Sequence, residues 1–241
     1  NWNAETGRVY VYNNPNIQFL LDNNEKYLQP LRKRGIKVIL GVLGNHDAAG
    51  VCQLSDQGCK EFARELANIC DVYNLDGVNF DDEYSNSPDL SNPWLAPRSS
   101  QAGARLLYET KKAMPDKLVT VYYLGYLSSS CPSVNGVTPN NFVDIVVEDY
   151  GRSTTPMAGM TKKQCAGMSV ELNLGRGTAT ESYAKSVKEN GYGFYMWFAL
   201  NPEKYSRQVY LLQNVSRGLY DKILMNPDYY YKKNDLTRYP M

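Results

Sequence analysis

The sequence predicts an α/β fold, a (β/α)8 TIM barrel in which residues 1–241 form one domain. Near-continuous apolar runs, typical of buried parallel strands, alternate with amphipathic helical patterns along the chain. A length of 241 residues is ordinary for one barrel. Long loops rich in proline, glycine and serine follow three of the strands, and a barrel extends such loops from its C-terminal strand ends. A doubly wound sheet is the alternative, but no βα turn has a GxGxxG or Walker pattern.

Seven runs are candidate strands, one fewer than a complete barrel needs. The chain opens almost directly on the first of them, so we expect the first βα unit to lie upstream of residue 1, or the barrel to be irregular. The runs are RVYVY (8–12), IKVILGVL (36–43), LDGVNF (75–80), LVTVYYL (118–124), VDIVVE (143–148), GMSVEL (167–172) and YGFYMWFAL (192–200).

Helical patterns separate these runs. The stretch 23–35 ends in basic residues and a glycine, which is a typical helix terminus. The stretch 55–74 has an apolar face formed by Phe62, Leu66, Ile69 and Tyr73. Three further helices are predicted over 100–114, 178–191, which Thr180 or a neighbour caps, and 207–220.

Composition excludes several classes of function. The formal net charge is +1, from 26 basic and 25 acidic residues that are intermixed, so no footprint for nucleic acid is present. No apolar run approaches the length of a membrane-spanning helix, and the N-terminus has no signal-peptide character. The five cysteines lack zinc-site spacing, so we expect no metal and no cofactor. Cys52 and Cys59 either form a disulfide or remain buried free thiols.

The stretch LDGVNFDDEY (75–84) is an apolar strand that ends in three consecutive acids. Strand side chains alternate, so Asn79, Asp81 and Glu83 share one face and Phe80 and Asp82 the other. We expect the first set to face the barrel axis at its C-terminal mouth, with Cα atoms of the two outer acids roughly 6–7 Å apart. Both carboxylates then reach one ligand.

Two carboxylates at this separation in a partly dry pocket do not both ionise easily, so one retains its proton near neutral pH. An acid paired in this way suits cleavage of a glycosidic bond. The competing interpretation is a solvated strand end without function, which the alternation and Gly77 disfavour.

The stretch Leu75 to Tyr84 resembles the DGxDxDxE signature of family 18 glycoside hydrolases, in the LDGVxFDDEY form of the endoglycosidase H and F class. VYVYNNPNIQ, GIKVILGVLGNHDAAG, RLLYETKKAMPDKLVTVY, DYG and NGYGFYMWFAL also look like segments of these enzymes, in the same order. The resemblance therefore covers nearly the whole chain. Asn79 departs from it, because the signature usually has aspartate there, so the resemblance does not carry proton coupling below Asp81 over to this chain.

The resemblance implies substrate-assisted, retaining hydrolysis without an enzyme nucleophile. By analogy Glu83 is the general acid that protonates the leaving oxygen and then the base that activates water. Asp81 orients the 2-acetamido group of the sugar and stabilises the oxazolinium-like intermediate.

The resemblance also suggests substrate-binding residues. Tyr150 would hold the acetamido carbonyl, and Asp149 would contact sugar hydroxyls or only cap its turn. Asn45 and His46 belong to a loop like those that line the sugar site, although a lone histidine is more often structural.

Three further residues have open or structural interpretations. Trp197 is expected to pack in the core rather than under the sugar. Glu171 faces the cavity or an ion pair in the helix layer. Trp94 stacks on a sugar or pins its loop.

The function implied is that of an endo-β-N-acetylglucosaminidase that cuts the β-1,4 bond of the N,N'-diacetylchitobiose core of N-glycans. The expected partners are N-glycans of glycoproteins, with no nucleic acid and no membrane span, and the expected state is a monomer. Members of this class are exported by bacteria, which implies a secreted, periplasmic or cell-surface location. The alternatives are a chitinase-like hydrolase and a non-catalytic carbohydrate-binding protein on the same fold.

Overall fold

The computed structural model describes residues 1–152 and 154–224, except for the side chain of residue 202. These residues divide into two compact units. The first comprises Asn1–Val146 and Pro156–Met160, and the second comprises Val147–Thr155 and the described residues from Thr161 onward. The single domain expected for residues 1–241, part of which lies outside the described residues, stays a prediction.

Four strands form one sheet, which belongs to the first unit except for Val147. They are β1 (Ile39–Val42), β2 (Gly77–Phe80), β3 (Leu118–Tyr122) and β4 (Ile145–Val147), hydrogen-bonded in the order β1-β2-β3-β4. In the parallel registers, Leu40 pairs with Val78 and Val78 with Val119. Val78 and Val119 have no exposed surface, as expected of strands covered on both faces. The parallel α/β architecture predicted from the sequence is confirmed.

Two long helices follow β1 and β2. They are α4 (Asp56–Val72) and α5 (Ser100–Ala113), and the side chains of Ser55 and Ser99 accept N–H hydrogen bonds at their N-termini. Phe62 and Leu66 are buried on the predicted face of α4. Both helices lie where the sequence predicts them.

Three short helices precede β1, where one helix over 23–35 is predicted. They are α1 (Pro15–Asp22), α2 (Asn24–Tyr27) and α3 (Gln29–Lys33). The predicted helix is interrupted because Pro30 lies in the first turn of α3: it has no N–H to continue a helix from α2.

The second unit contains a two-stranded parallel sheet and two helices. The strands are β5 (Ala166–Glu171) and β6 (Phe194–Phe198), and the helices are α6 (Glu181–Glu189) and α7 (Tyr205–Tyr220). The predicted cap of α6 is confirmed, because the Thr180 hydroxyl accepts the Tyr183 N–H. Met168, Val170, Val187 and Val215 form its buried core.

The first predicted strand, RVYVY (8–12), is wrong. This segment forms only an isolated antiparallel bridge between Trp2 and Val9. Its other backbone groups bond elsewhere: the Tyr10 N–H donates to the Asn1 carbonyl, and the Val11 N–H donates to Glu65 Oε1 at 3.1 Å. The backbone N–H groups of Tyr10 and Val11 thus bond to the first residue of the chain and to a side chain of α4 rather than to a neighbouring strand.

All five cysteines are buried free thiols, so Cys52 and Cys59 are not bridged. Burial raises the pKa of Cys59 to about 12. In the described part of the chain, no helix is both long and apolar enough to cross a membrane.

Candidate active site

The alternation predicted at the end of β2 is present. Phe80 has no exposed surface and Asp82 is 2% exposed, whereas Asn79, Asp81 and Glu83 are partly exposed. The pairing with β1 continues past β2, because the Asp81 N–H donates to the Val42 carbonyl at 2.9 Å. Burial therefore alternates along the three acids, with Asp82 buried and its two neighbours partly exposed, as the two-residue period predicts.

The loop after β1 is bound to the backbone that bears Glu83. The Gly44 N–H donates to the Glu83 carbonyl at 3.0 Å, and the His46 N–H donates to the Tyr84 carbonyl at 2.7 Å. A Cβ at Gly44 would lie 2.5 Å from the Glu83 carbonyl oxygen, closer than non-bonded atoms allow. This close approach brings Asn45 and His46 next to the acidic strand end.

Asn45 and His46 line an open cavity of about 490 Å³, a volume within the range of small-molecule sites. The His46 ring lies 5.2 Å from the Tyr84 ring. Asn45 Nδ2 donates to Asn1 Oδ1 at 2.7 Å, and Tyr12 lines the cavity with them. Amide and aromatic side chains of this kind suit a sugar ligand.

Tyr84 and Tyr12 are not among the binding residues predicted from the sequence. Tyr84 is about half exposed and directly follows Glu83. Its position next to Glu83 could have identified it from the sequence. The sequence does not mark Tyr12 in this way, because its segment has the pattern of a buried strand.

Asn79, the residue that departs from the family signature, is held by the neighbouring strand. The Thr120 hydroxyl donates its single hydrogen to Asn79 Oδ1 at 2.7 Å, and the Val78 carbonyl is a more distant second acceptor at 3.2 Å. The Asn79 amide is thereby oriented with Nδ2 as its donor. An amide so placed donates a hydrogen bond but cannot exchange a proton with Asp81 as an aspartate would.

Asp149 and Tyr150 belong to the second unit, in a tight turn after β4. Tyr150 has φ +41° and Gly151 φ +103°, and the ring of Tyr150 lies 6.4 Å from that of Phe198. Arg152 Nη1 lies 3.3 Å from Asp149 Oδ2. The sugar contacts expected of these two residues stay a prediction.

A buried carboxylate, Glu148, supports this turn. It accepts the Gly151 N–H at 2.9 Å and the Ser169 N–H, while the Ser169 hydroxyl donates to the Glu148 carbonyl. Burial raises the pKa of Glu148, although the N–H donors act in the opposite direction. Glu148 is not among the residues predicted from the sequence, because it ends a strand-like apolar run.

Two further candidates, Trp197 and Glu171, have structural roles, whereas the role of the Trp94 ring stays a prediction. Trp197 packs against the core of the second unit, as expected, and its ring lies 5.5 Å from that of Tyr195. Glu171 is buried and accepts N–H groups of the turn that follows it. The Trp94 carbonyl accepts the Ser55 N–H at 2.9 Å, which ties its loop to the start of α4. Within the described residues, no cluster of three histidine, cysteine, aspartate or glutamate side chains is arranged to hold a metal.

Comparison with known proteins gives close relatives over almost the whole chain, although no family model matches it. Endo-β-N-acetylglucosaminidase F1 of Elizabethkingia meningoseptica is 44% identical over 240 residues, which are 97% of this chain and 70% of that protein. An endo-β-N-acetylglucosaminidase of a Flavobacterium species is 31% identical over 202 residues, 83% of this chain and 63% of that protein.

Solved structures agree with these relatives. Two crystal structures of EndoBT-3987 of Bacteroides thetaiotamicron, one with a Man5GlcNAc product and one with a Man9GlcNAc2Asn substrate, have TM-scores of 0.93 and 0.92 at 55% and 54% identity. Each covers 97% of this chain, which spans only 55% and 59% of their length. Family 18 chitinases, at 14% identity and a TM-score of 0.56 for one from Ostrinia furnacalis, share the fold alone. The predicted TIM-barrel class is confirmed by these neighbours.

Proposed function

The chain belongs to the family 18 endoglycosidases, the family of endo-β-N-acetylglucosaminidase F1, and from this premise we propose that it hydrolyses the β-1,4 bond of the N,N'-diacetylchitobiose core of N-glycans. The observation that best supports the proposal is the end of β2, where Asp81 and Glu83 are partly exposed while Asp82 between them is buried. The relative EndoBT-3987 supports the bond assignment: its substrate carries two N-acetylglucosamines and its product one.

In the proposed reaction Glu83 transfers protons and Asp81 orients the acetamido group of the sugar. The Glu83 carboxyl donates its proton to the glycosidic oxygen of the leaving N-acetylglucosamine as the C1–O bond breaks. Asp81 accepts a hydrogen bond from the 2-acetamido N–H, so that the acetamido oxygen attacks C1 and forms an oxazolinium. The Glu83 carboxylate then takes a proton from the water that adds to C1 and opens the ring. The product retains the β configuration.

The remaining site residues bind the substrate in this proposal. Asn79, fixed by Thr120, donates its amide N–H beneath Asp81. Asn45 and His46 contact sugar hydroxyls from the loop after β1, and Tyr150 and Asp149 contact the acetamido carbonyl and hydroxyls from the turn after β4. No metal and no cofactor enters any step.

A mobility-shift assay on a high-mannose glycoprotein tests the proposal. The wild type should remove the glycan and leave one N-acetylhexosamine on asparagine, which mass spectrometry identifies. Glu83→Gln and Asp81→Asn should each lower kcat by a factor of at least about 10³, since both act on the reacting sugar. Glu189→Gln, at an exposed glutamate of α6, is the matched control and should cleave like the wild type. Cleavage by Glu83→Gln at the wild-type rate would refute the assignment.

Two alternatives give different results in the same assay. A chitinase-like hydrolase would cut chitin oligomers and leave the glycoprotein intact. A carbohydrate-binding protein would retain the glycan on a column without cutting it. Retention of both Asp81 and Glu83 argues against the second alternative.

We further propose that residues 1–241 form one catalytic domain that acts as a monomer in a secreted, periplasmic or surface location. The relatives are bacterial endoglycosidases, which supports export of the enzyme. Analytical ultracentrifugation measures the oligomeric state, and fractionation of the producing cells measures the location.

A further inference from the structure

Asp82, the residue between the two proposed catalytic carboxylates, is a buried charge that the proposed reaction does not use. Its side chain has no exposed surface. A carboxylate removed from water is strongly unfavourable unless other groups of the protein replace its hydration. The groups that do so come from two separate loops.

The two oxygens of Asp82 are held differently, Oδ2 by a hydrogen bond and Oδ1 by an ion pair without hydrogen-bond geometry. Oδ2 accepts the Tyr126 N–H at 2.8 Å, and Oδ1 lies 3.1 Å from Nη2 of Arg98. The same Arg98 nitrogen also donates to the Asp82 carbonyl at 3.3 Å, and the guanidinium lies 5.5 Å from the centre of the Tyr126 ring. Main chain and side chain of Asp82 are therefore both held by Arg98.

The loop after β3 is shaped to reach this carboxylate. Gly125 has φ +61°, and a Cβ there would lie 2.2 Å from Asp82 Oδ2. Only glycine permits both the left-handed backbone and this approach. The thiol of Cys52 also lies close, and its pKa is raised by burial and, to a smaller extent, by the charge of Asp82. The carboxylate is thus enclosed on several sides.

Asp82 connects the acidic strand end to β3 at the point where the sheet no longer does so. The pairing of β2 with β3 extends to Phe80 and Val121. Beyond it, the Gly44 N–H holds the Glu83 carbonyl from the β1 side. On the β3 side, the Asp82 carboxylate accepts a hydrogen bond from the Tyr126 N–H.

We infer that Asp82, with Arg98, is a positioning residue that fixes the backbone from which Asp81 and Glu83 reach the substrate. The inference rests on the proposed function for the roles of these two carboxylates. Displacement of a catalytic group by about 1 Å is enough to lower a rate about a hundredfold. Loss of the Asp82 contacts should therefore lower kcat more than it raises KM.

The test compares Asp82→Asn with Asp76→Asn. Asp76 is a second carboxylate with little exposure, 8% for its side chain, and it directly precedes β2, where Arg32 holds it. Both variants should lose thermal stability. At a temperature where both are folded, Asp82→Asn should show a kcat about 10 to 100 times below wild type with KM within about threefold, because only it disturbs the catalytic backbone. Asp76→Asn should keep the wild-type kcat.

Equal kcat values for the two variants would overturn the inference. If Asp82→Asn does not fold, Arg98→Met and Arg98→Lys decide instead, because Arg98 is one-third exposed. The methionine variant should lose kcat and the lysine variant should recover part of it, since lysine restores the charge. No difference between Arg98→Met and the wild type would contradict the inference.

A second measurement separates the inference from the proposed function. Amide hydrogen exchange of Tyr126 and Gly44 reports on the strand end without any substrate. Both amides should exchange at least about tenfold faster in Asp82→Asn than in Asp76→Asn. A wild type that cuts no glycoprotein would refute the proposed function, while unchanged exchange in Asp82→Asn would refute the positioning role.

Discussion

Replacement of Asp76 by asparagine should destabilise the protein in a pH-dependent way. The carboxylate accepts Arg32 Nε at 2.8 Å and Nη2 at 3.0 Å, and it also accepts the Val38 N–H at 2.9 Å. The hydrogen bond from Arg32 is the largest cause that lowers the pKa of Asp76 from 3.8 to about 2. A substitution that removes the charge removes this stabilisation.

The size of the effect follows from the pKa. A shift of nearly two pKa units corresponds to roughly 2.5 kcal/mol, since each unit is worth about 1.4 kcal/mol. The Asp76 side chain is 8% exposed, but those of Arg32 and Lys37 are 25% and 67% exposed, so solvent screens part of the interaction. We therefore expect Asp76→Asn to lower the free energy of unfolding by about 1–2 kcal/mol at pH 7.

The pH window follows from the direction of the shift. A carboxyl whose folded pKa is lowered contributes fully above its unfolded value and loses its contribution as pH falls through the folded value. The difference in unfolding free energy between wild type and Asp76→Asn should be constant down to about pH 5 and fall to roughly half by pH 3. Urea denaturation from pH 7 to pH 3, followed by tryptophan fluorescence, measures it.

A surface carboxylate provides the control. Asp71 pairs with Lys117, but its side chain is 72% exposed, so Asp71→Asn should change the unfolding free energy by less than about 0.5 kcal/mol. A difference for Asp76→Asn that stays the same at pH 3 and pH 7 would refute the linkage between its ion pair and stability.

Three other substitutions test the fold and the site. Gly44→Ala should cost about 1–3 kcal/mol and lower kcat, because its Cβ meets the Glu83 carbonyl; wild-type turnover would contradict this. Gly151 has φ +103° and open space where a Cβ would lie, so Gly151→Ala should cost about 1–3 kcal/mol of backbone strain. The strain should displace the turn that holds Tyr150 and lower kcat; an unchanged kcat would contradict a role of this turn in turnover. Leu66→Ala in α4 should lower unfolding free energy by about 2–5 kcal/mol in urea, and a loss under about 1 kcal/mol would argue against its burial.

Several features were predictable from the sequence because they depend on neighbours in the chain. The two-residue alternation alone placed Asp81 and Glu83 on one side of the strand and Asp82 on the other. The helical face of α4 and the cap of α6 at Thr180 follow from equally local patterns. These are the properties that a segment retains wherever the rest of the chain lies.

The sequence by itself thus determined the parallel α/β class and the acids at the end of β2. Only the tertiary structure decided which groups meet there. Asp82 accepts a hydrogen bond from Tyr126, which is 44 residues away. In the segment 8–12, where a strand is expected, the Val11 N–H donates to Glu65, which is 54 residues away. Hydrogen-bond partners at such separations depend on register and loop closure, which no local pattern of side chains encodes.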